Sequence, residues 1–372
     1  MKDINKNNVC CLDHINDLIK IDSDVTLLPH YGKVCEKRYN DTFISFFTVN
    51  DTSFTHRGVF FDQKLIVESC LLGQYLNLNY IDDGGNICDN YVEETFTQDY
   101  SSYQSIFLDE AFYCCLTYDV NYQHFLLESL PKIYLASMLS DSIPIVVNDI
   151  PFIREILSYL IPEERLIYLN PIFDPVIYRC NKSYIIPSVG KNYHDLNNLQ
   201  VSSLKKLREV VLSASLIGSE VINDIAYNTR LTGQLSGSNR SITNFSQVES
   251  LIHKFSIPVF DFGGLTLSEK CSVSSLYKYQ ITPIGANLMN YIFVTQPLTL
   301  FVIDHPFYNN YGHNFFIHVF QSLGLSIDYN ILDISEQCEQ NKTIDNNVSY
   351  LIDCVKLDNF FSDFKSRLTK LT

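Results

Sequence analysis

Residues 121–169 read NYQHFLLESLPKIYLASMLSDSIPIVVNDIPFIREILSYLIPEERLIYL. Two short apolar runs, Ile143-Pro144-Ile145-Val146-Val147 and Leu166-Ile167-Tyr168-Leu169, are separated by Pro151 to Leu160, whose apolar positions recur at helical spacing. A second helical stretch, Asn121 to Leu139, precedes the first run. This alternation is the βαβ pattern of a mostly parallel sheet and predicts an α/β fold.

The same texture returns downstream. Leu196 to Leu216, with Lys205, Lys206 and Arg208 and with Leu and Val at helical spacing, reads as a long amphipathic helix bridging two lobes. Then follow Val221–Tyr227 (strand), Asn244–Phe255 (helix), Ile257–Asp261 (strand), Leu267–Tyr277 (helix), Tyr279–Ile284 (strand), a helix opening near Ala286, and Leu298–Asp304 (strand). Two successive α/β units predict two Rossmann-like lobes facing a cleft, with ligands beyond the carboxyl ends of the strands. Upstream, from about Thr26 to Asn90, TFISFFTVND (residues 42–51), GVFFDQKLIVES (residues 58–69) and the Asp82-Asp83-Gly84-Gly85-Asn86 turn predict an antiparallel β segment that opens the N-terminal lobe. The expected organisation is an acceptor-binding N-terminal lobe over residues 1–195, a bridging helix over 196–218, a nucleotide-sugar-binding lobe over 219–355 and a terminal helix over 356–372.

Length and composition agree with a folded, two-domain protein: 372 residues, 46% hydrophobic, 13% aromatic and 19% charged. The 42 acidic against 27 basic residues give a net charge of −15, which argues against a nucleic-acid partner gripped across a broad basic face. The eleven cysteines form no C-x-x-C and no Cys/His group at zinc spacing, so they read as reduced thiols. The first twenty residues carry charge every few positions and read as neither a signal peptide nor a span; a cytoplasmic protein is expected.

Three segments could carry chemistry. In Asn121 to Pro131, His124 and Glu128 are four apart, which puts them on one helix face. A carboxylate beside an imidazole fixes its tautomer or raises its basicity, as proton transfer requires, and the same pair also serves packing. Pro131 removes the amide that the Leu127 carbonyl would accept from, and kinks the helix. In Tyr227-Asn228-Thr229-Arg230, with Arg240 and Asn244 downstream, two arginines near a strand end suit an anionic ligand or are solvated loop residues. In Ile284-Gly285-Ala286-Asn287-Leu288-Met289-Asn290, a small-residue turn lets a phosphate approach amides at a helix start. Glu269 in Leu267-Ser268-Glu269 is a candidate for ribose hydroxyls or for stabilising its own helix start. Asp22-Ser23-Asp24 is a D-x-D without a preceding strand, and His305, His313 and His318 straddle a strand end and a helix, so no metal site is expected. There is no Walker loop, G-x-G-x-x-G, H-E-x-x-H or G-x-S-x-G.

Taken in order, these segments resemble glycosyltransferase family 61. The N-x-x-H-F-L-L-E-S-L-P stretch at Asn121 to Pro131 is similar to the signature of that family's N-terminal lobe. Tyr227 to Arg230 with Arg240 and Asn244 resembles its Y-x-S-R and R-x-x-N segment, Leu267-Ser268-Glu269 its S-L-x-E-Q helix start, and Gly285 to Asn290 its H-G-A-G-L-x-N turn. The likeness runs from roughly Gly58 to Leu325. Four positions depart from the pattern: Ile284 for His, Asn287 for Gly, Lys270 for Gln and Thr229 for Ser, which implies a divergent donor pocket.

The resemblance implies an inverting glycosyltransferase of the GT-B fold that uses a nucleotide-sugar, commonly a UDP-sugar, as co-substrate, with no metal or other cofactor. It implies His124 or Glu128 as general base and Asn121 at the acceptor. It assigns Arg230, Arg240, Asn244, Glu269, Gly285, Ala286, Asn287 and Asn290 to the donor. The chain resembles the shorter bacterial or viral members that build surface polysaccharide on a glycan or lipid-linked acceptor. Peripheral association with membrane-bound assembly machinery and a homo-oligomer are compatible with that. The competing expectation is a non-catalytic nucleotide-sugar or glycan-binding partner in a polysaccharide assembly complex.

Overall fold

The structure, a computed structural model, describes residues 9–10, 35–39, 42–56, 58–61, 64–66, 102–116, 119–171, 175–186, 196–215, 221–229, 242–305, 310–337 and 350–371. The chain divides into two units, Met1–Leu207 and Arg208–Thr372.

The first unit is built on one nine-stranded mixed sheet. Its strands are β1 (Val9–Cys10), β2 (Cys35–Tyr39), β3 (Thr42–Thr55), β4 (Gly58–Phe61), β5 (Lys64–Ile66), β6 (Gln104–Tyr113), β7 (Ile145–Asn148), β8 (Leu166–Leu169) and β9 (Val176–Ile185). They lie in the order β1-β5-β4-β3-β9-β6-β7-β8, with β2 on β3. Strand β3 pairs antiparallel with β2, β4 and β9, while β9 runs parallel to β6, and β6, β7 and β8 run parallel to one another. Strand β9 therefore joins the two textures of the sequence into a single sheet.

The β6–β7 connection holds α1 (Tyr122–His124), a π-helical stretch (Phe125–Ser129) and α2 (Leu130–Leu139). The β7–β8 connection holds α3 (Pro151–Ser158). Pro151 starts α3 because its fixed φ suits a first turn that needs no amide, and Ile153, Ile156 and Leu157 form the buried face. Every residue of β7 is buried, as expected of an interior parallel strand. Phe54 sits at the centre of the sheet core, stacked on Tyr178 at 5.0 Å and edge-on to Tyr113 at 5.5 Å between ring centroids. Helix α4 (Asn198–Ala214) contains the division between the units.

The second unit has a five-stranded, wholly parallel sheet. Its strands are β10 (Ile222–Thr229), β11 (Val259–Asp261), β12 (Tyr277–Pro283), β13 (Leu298–Ile303) and β14 (Ile327–Leu332), in the order β11-β10-β12-β13-β14. Between them lie α5 (Phe245–Lys254), α6 (Leu267–Leu276), a 3₁₀ helix (Ala286–Phe293) and α7 (Asn310–Ser322). The chain goes out to one side from β10 to β11, then returns across β10 to build the other side from β12. This is the order of a doubly wound sheet, and its topological switch point lies between β10 and β12. A small antiparallel pair, β15 (Ser335–Gln337) and β16 (Tyr350–Ile352), leads to α8 (Cys354–Leu371).

Helix α8 belongs to the second unit. Phe360, Phe361 and Phe364 meet Phe301, Phe255 and Tyr279, and Lys365 bridges to Asp224 at 2.8 Å. It covers Ile225, Tyr227, Ile281 and Ile303 of the sheet core. Among the described residues, no helix is long and apolar enough to cross a membrane.

Candidate active site

In the first unit the segment after β6 reaches Asp119 and then Asn121, whose side-chain oxygen accepts from the Gln123 amide at 3.0 Å and caps α1. His124 closes α1 and is half-buried; burial lowers its pKa to about 4. Glu128 lies in the π stretch at 1% exposure. Four residues return a side chain to nearly the same azimuth on either kind of helix, so His124 and Glu128 keep a common face. The π stretch stands just before Pro131, where regular hydrogen bonding has to fail. The Leu127 carbonyl, for which Pro131 has no amide, instead accepts from the side chain of Gln200 at 2.8 Å.

A buried polar network adjoins this turn. One oxygen of Asp119 accepts from the Leu116 amide at 2.9 Å and from Asn148 Nδ2 at 2.8 Å; the other accepts from Ser129 Oγ at 2.5 Å. Asn148, the last residue of β7, also donates to the Leu116 carbonyl at 3.0 Å. Asp119, Ser129 and Asn148 are each less than 4% exposed, and the fully buried Lys132 stands within electrostatic reach of Asp119. Desolvation raises the Asp119 pKa to about 6 against the pull of its donors and of Lys132. Sequence reasoning missed Asp119, because an acid just before a helix reads as a cap.

In the second unit the switch point gathers two of the expected segments. Strand β10 ends at Asn228-Thr229, and β12 ends at Pro283, followed by Ile284 and Gly285. Gly285 precedes the 3₁₀ helix with φ +151° and ψ −169°, a conformation that essentially only glycine adopts. Asn287 Nδ2 donates to the Thr229 carbonyl at 3.4 Å, and Asn290 Nδ2 donates to the Asn287 carbonyl at 2.9 Å. Asn287 thus links the helix opening to the strand end.

Beneath, Asn228 Nδ2 donates to Gln280 Oε1 at 2.7 Å and to Tyr291 Oη at 2.5 Å. The amide orientation of Gln280 follows from its Nε2, which faces the carbonyls of Val273, Ser274 and Tyr277 at 3.0–3.3 Å. At the far end of the 3₁₀ helix, Arg208 forks onto the carbonyls of Ile292 at 2.9 Å and Val294 at 2.7 Å. These ties hold the turn at Gly285 and Ala286 against the end of β10. Arg230 and Arg240 lie outside the described residues, as does Asp22-Ser23-Asp24.

Two expected donor residues have scaffold bonds. The Asn244 amide pairs with the Ile352 backbone in both directions, at 2.8 and 3.0 Å, and so fastens the start of α5 to β16. Glu269 completes a capping box with Thr266 at the start of α6, accepting from its amide and hydroxyl at 2.8 Å each. His313 is likewise held within the scaffold, between Asp304 at 2.8 Å and Tyr329 at 2.9 Å.

A model of the family described as glycosyltransferase 61 matches residues 122–302, from the first residue of α1 to β13. The match supports membership of glycosyltransferase family 61. The matched span takes in the His124–Glu128 turn of the first unit and the switch-point segments of the second, and the match indicates a glycosyltransferase. The comparison with curated proteins finds no match.

Proposed function

We propose that the protein is an inverting, metal-independent glycosyltransferase. It moves a hexosyl or pentosyl group from a UDP-sugar to a hydroxyl of a glycan acceptor, in the synthesis of surface polysaccharide or glycoconjugate. The observation that carries this reading is the switch point, where the residue that precedes Arg230 and the Gly285–Ala286 turn are tied together by Asn287. That is where a doubly wound sheet takes a nucleotide. Arg230, Arg240 and the amides opening the 3₁₀ helix hold the diphosphate and stabilise the charge that develops on it as the bond to the anomeric carbon breaks. Positively charged side chains thereby fill the role of a divalent cation.

His124 is the general base and Glu128 orients it, an assignment favoured by burial: His124 is the more exposed of the two, and Glu128 is covered. The acceptor oxygen attacks the anomeric carbon as its proton passes to the imidazole. At neutral pH that ring is unprotonated and ready to accept. Kinetic sorting tests the assignment. His124→Ala should lower turnover by about 10²- to 10⁴-fold with nucleotide affinity intact. Arg230→Ala should weaken nucleotide binding itself. Full turnover in both His124→Ala and Glu128→Ala would remove the base from the first unit. The departures at Ile284 and Asn287 favour a second reading, a binder of nucleotide-sugar without turnover; nucleotide binding with no transfer to any acceptor would establish it.

A further inference from the structure

The π stretch that carries Glu128 and follows His124 departs from regular helical bonding, so its shape depends on ties from outside the helix. Two ties are in place. Gln200 takes the Leu127 carbonyl, and Asp119 takes the hydroxyl of Ser129, the residue after Glu128. Asp119 is fixed in turn by the Leu116 amide and by Asn148 at the end of β7. We infer that Asp119 is a positioning residue for the reaction: it fastens Ser129 to the end of β7 and so holds His124 and Glu128 in the dry geometry that proton transfer requires.

The inference rests on the proposed role of His124 and goes beyond it, since Asp119 is buried and acts through Ser129. The groups around the carboxyl are Ser129 from the π stretch, Lys132 from α2, Leu116 and the thiols of Cys114 and Cys115 after β6, and Asn148 from β7. Both thiols are pushed up by burial, Cys114 to about 12, so neither titrates near neutrality. The low pKa of His124 reports on the turn, because burial is what lowers it. If the turn loosens, water reaches the ring and its midpoint climbs toward about 6.5.

The test uses the full chain and five variants, with His124 followed by ¹⁵N-imidazole NMR against pH wherever it is retained, nucleotide affinity by calorimetry with UDP, and turnover of UDP-sugars. Ser129→Ala and Asp119→Leu should each raise the His124 midpoint by a unit or more and lower turnover about tenfold, with UDP affinity unchanged. Asp119→Asn should stay close to wild type, because its amide oxygen can accept from Leu116 and Asn148 while its NH₂ donates to Ser129. The double variant Ser129→Ala/Asp119→Leu should be no slower than the slower single, since both changes cut one tie. Should Asp119→Leu fail to fold, Ser129→Ala decides alone. A folded Ser129→Ala with the wild-type His124 midpoint overturns the inference. Loss of turnover in His124→Ala alongside that result leaves the base assignment standing, whereas full turnover in His124→Ala defeats the underlying reading instead.

Discussion

Burial acts in opposite directions on His124 and Asp119, and the signs have measurable consequences. His124 falls from 6.5 unfolded to about 4 folded, so the unfolded chain binds a proton there that the folded chain does not, and its contribution to stability is lost as pH falls through that window. Asp119 rises from 3.8 to about 6, so the folded chain holds the proton longer and stability is lost as pH rises from about 4 to 6. Between about pH 4 and 6 the two effects largely cancel in the wild type. Asp119→Asn removes one of them. Its stability relative to wild type should climb with pH by about 1.4 kcal/mol per unit in that window, read from urea midpoints, and a flat difference would mean that Asp119 is not buried as described. With His124 as the proposed base, the acidic limb of kcat/KM in the free enzyme should fall near pH 4, well below the usual imidazole range; a limb near 6.5 would point to a hydrated ring.

The π stretch and the 3₁₀ helix are short elements held from outside, and each has a residue that should betray this. Gln200→Leu leaves the Leu127 carbonyl without its donor and should destabilise the first unit by about 1–3 kcal/mol, measured by denaturation. Gly285→Ala forces a side chain into a backbone region closed to it and should cost about 1–3 kcal/mol while abolishing UDP binding; retained binding would take the turn out of the donor site. Strands β7 and β8 could be read directly as short apolar runs, and α3 between them as a clean helical period. Strands β6 and β9 could not. Phe107 points to solvent at 75% exposure and so breaks the apolar alternation of its strand, and β9 carries Arg179 and Lys182 among its apolar residues. The π turn left no signal beyond Pro131. Gln200 and Asn148, distant in sequence, meet their partners only through the fold. His124, Glu128 and the Gly285 turn were visible as short motifs, whereas Asp119, Gln280 and Tyr291 act through long-range hydrogen bonds that spacing does not encode.

Across the whole chain, a net charge of −15 sits uneasily with the proposed anionic donor, so the proposed recognition calls for a local arrangement of positive groups. The framework of the proposed site is in the second unit: a parallel sheet with its switch point between β10 and β12, a glycine-only turn, and a strand end followed in sequence by Arg230. The decisive measurement is ligand-induced thermal stabilisation of the intact protein with UDP, GDP, CMP and their sugar conjugates, with and without EDTA, in wild type and Arg230→Ala. At about 100 times the dissociation constant the bound nucleotide should add about 2.7 kcal/mol of stability. The account predicts a shift with uridine nucleotides that persists in EDTA and disappears in Arg230→Ala. A shift that EDTA abolishes, or one that survives in Arg230→Ala, would contradict it.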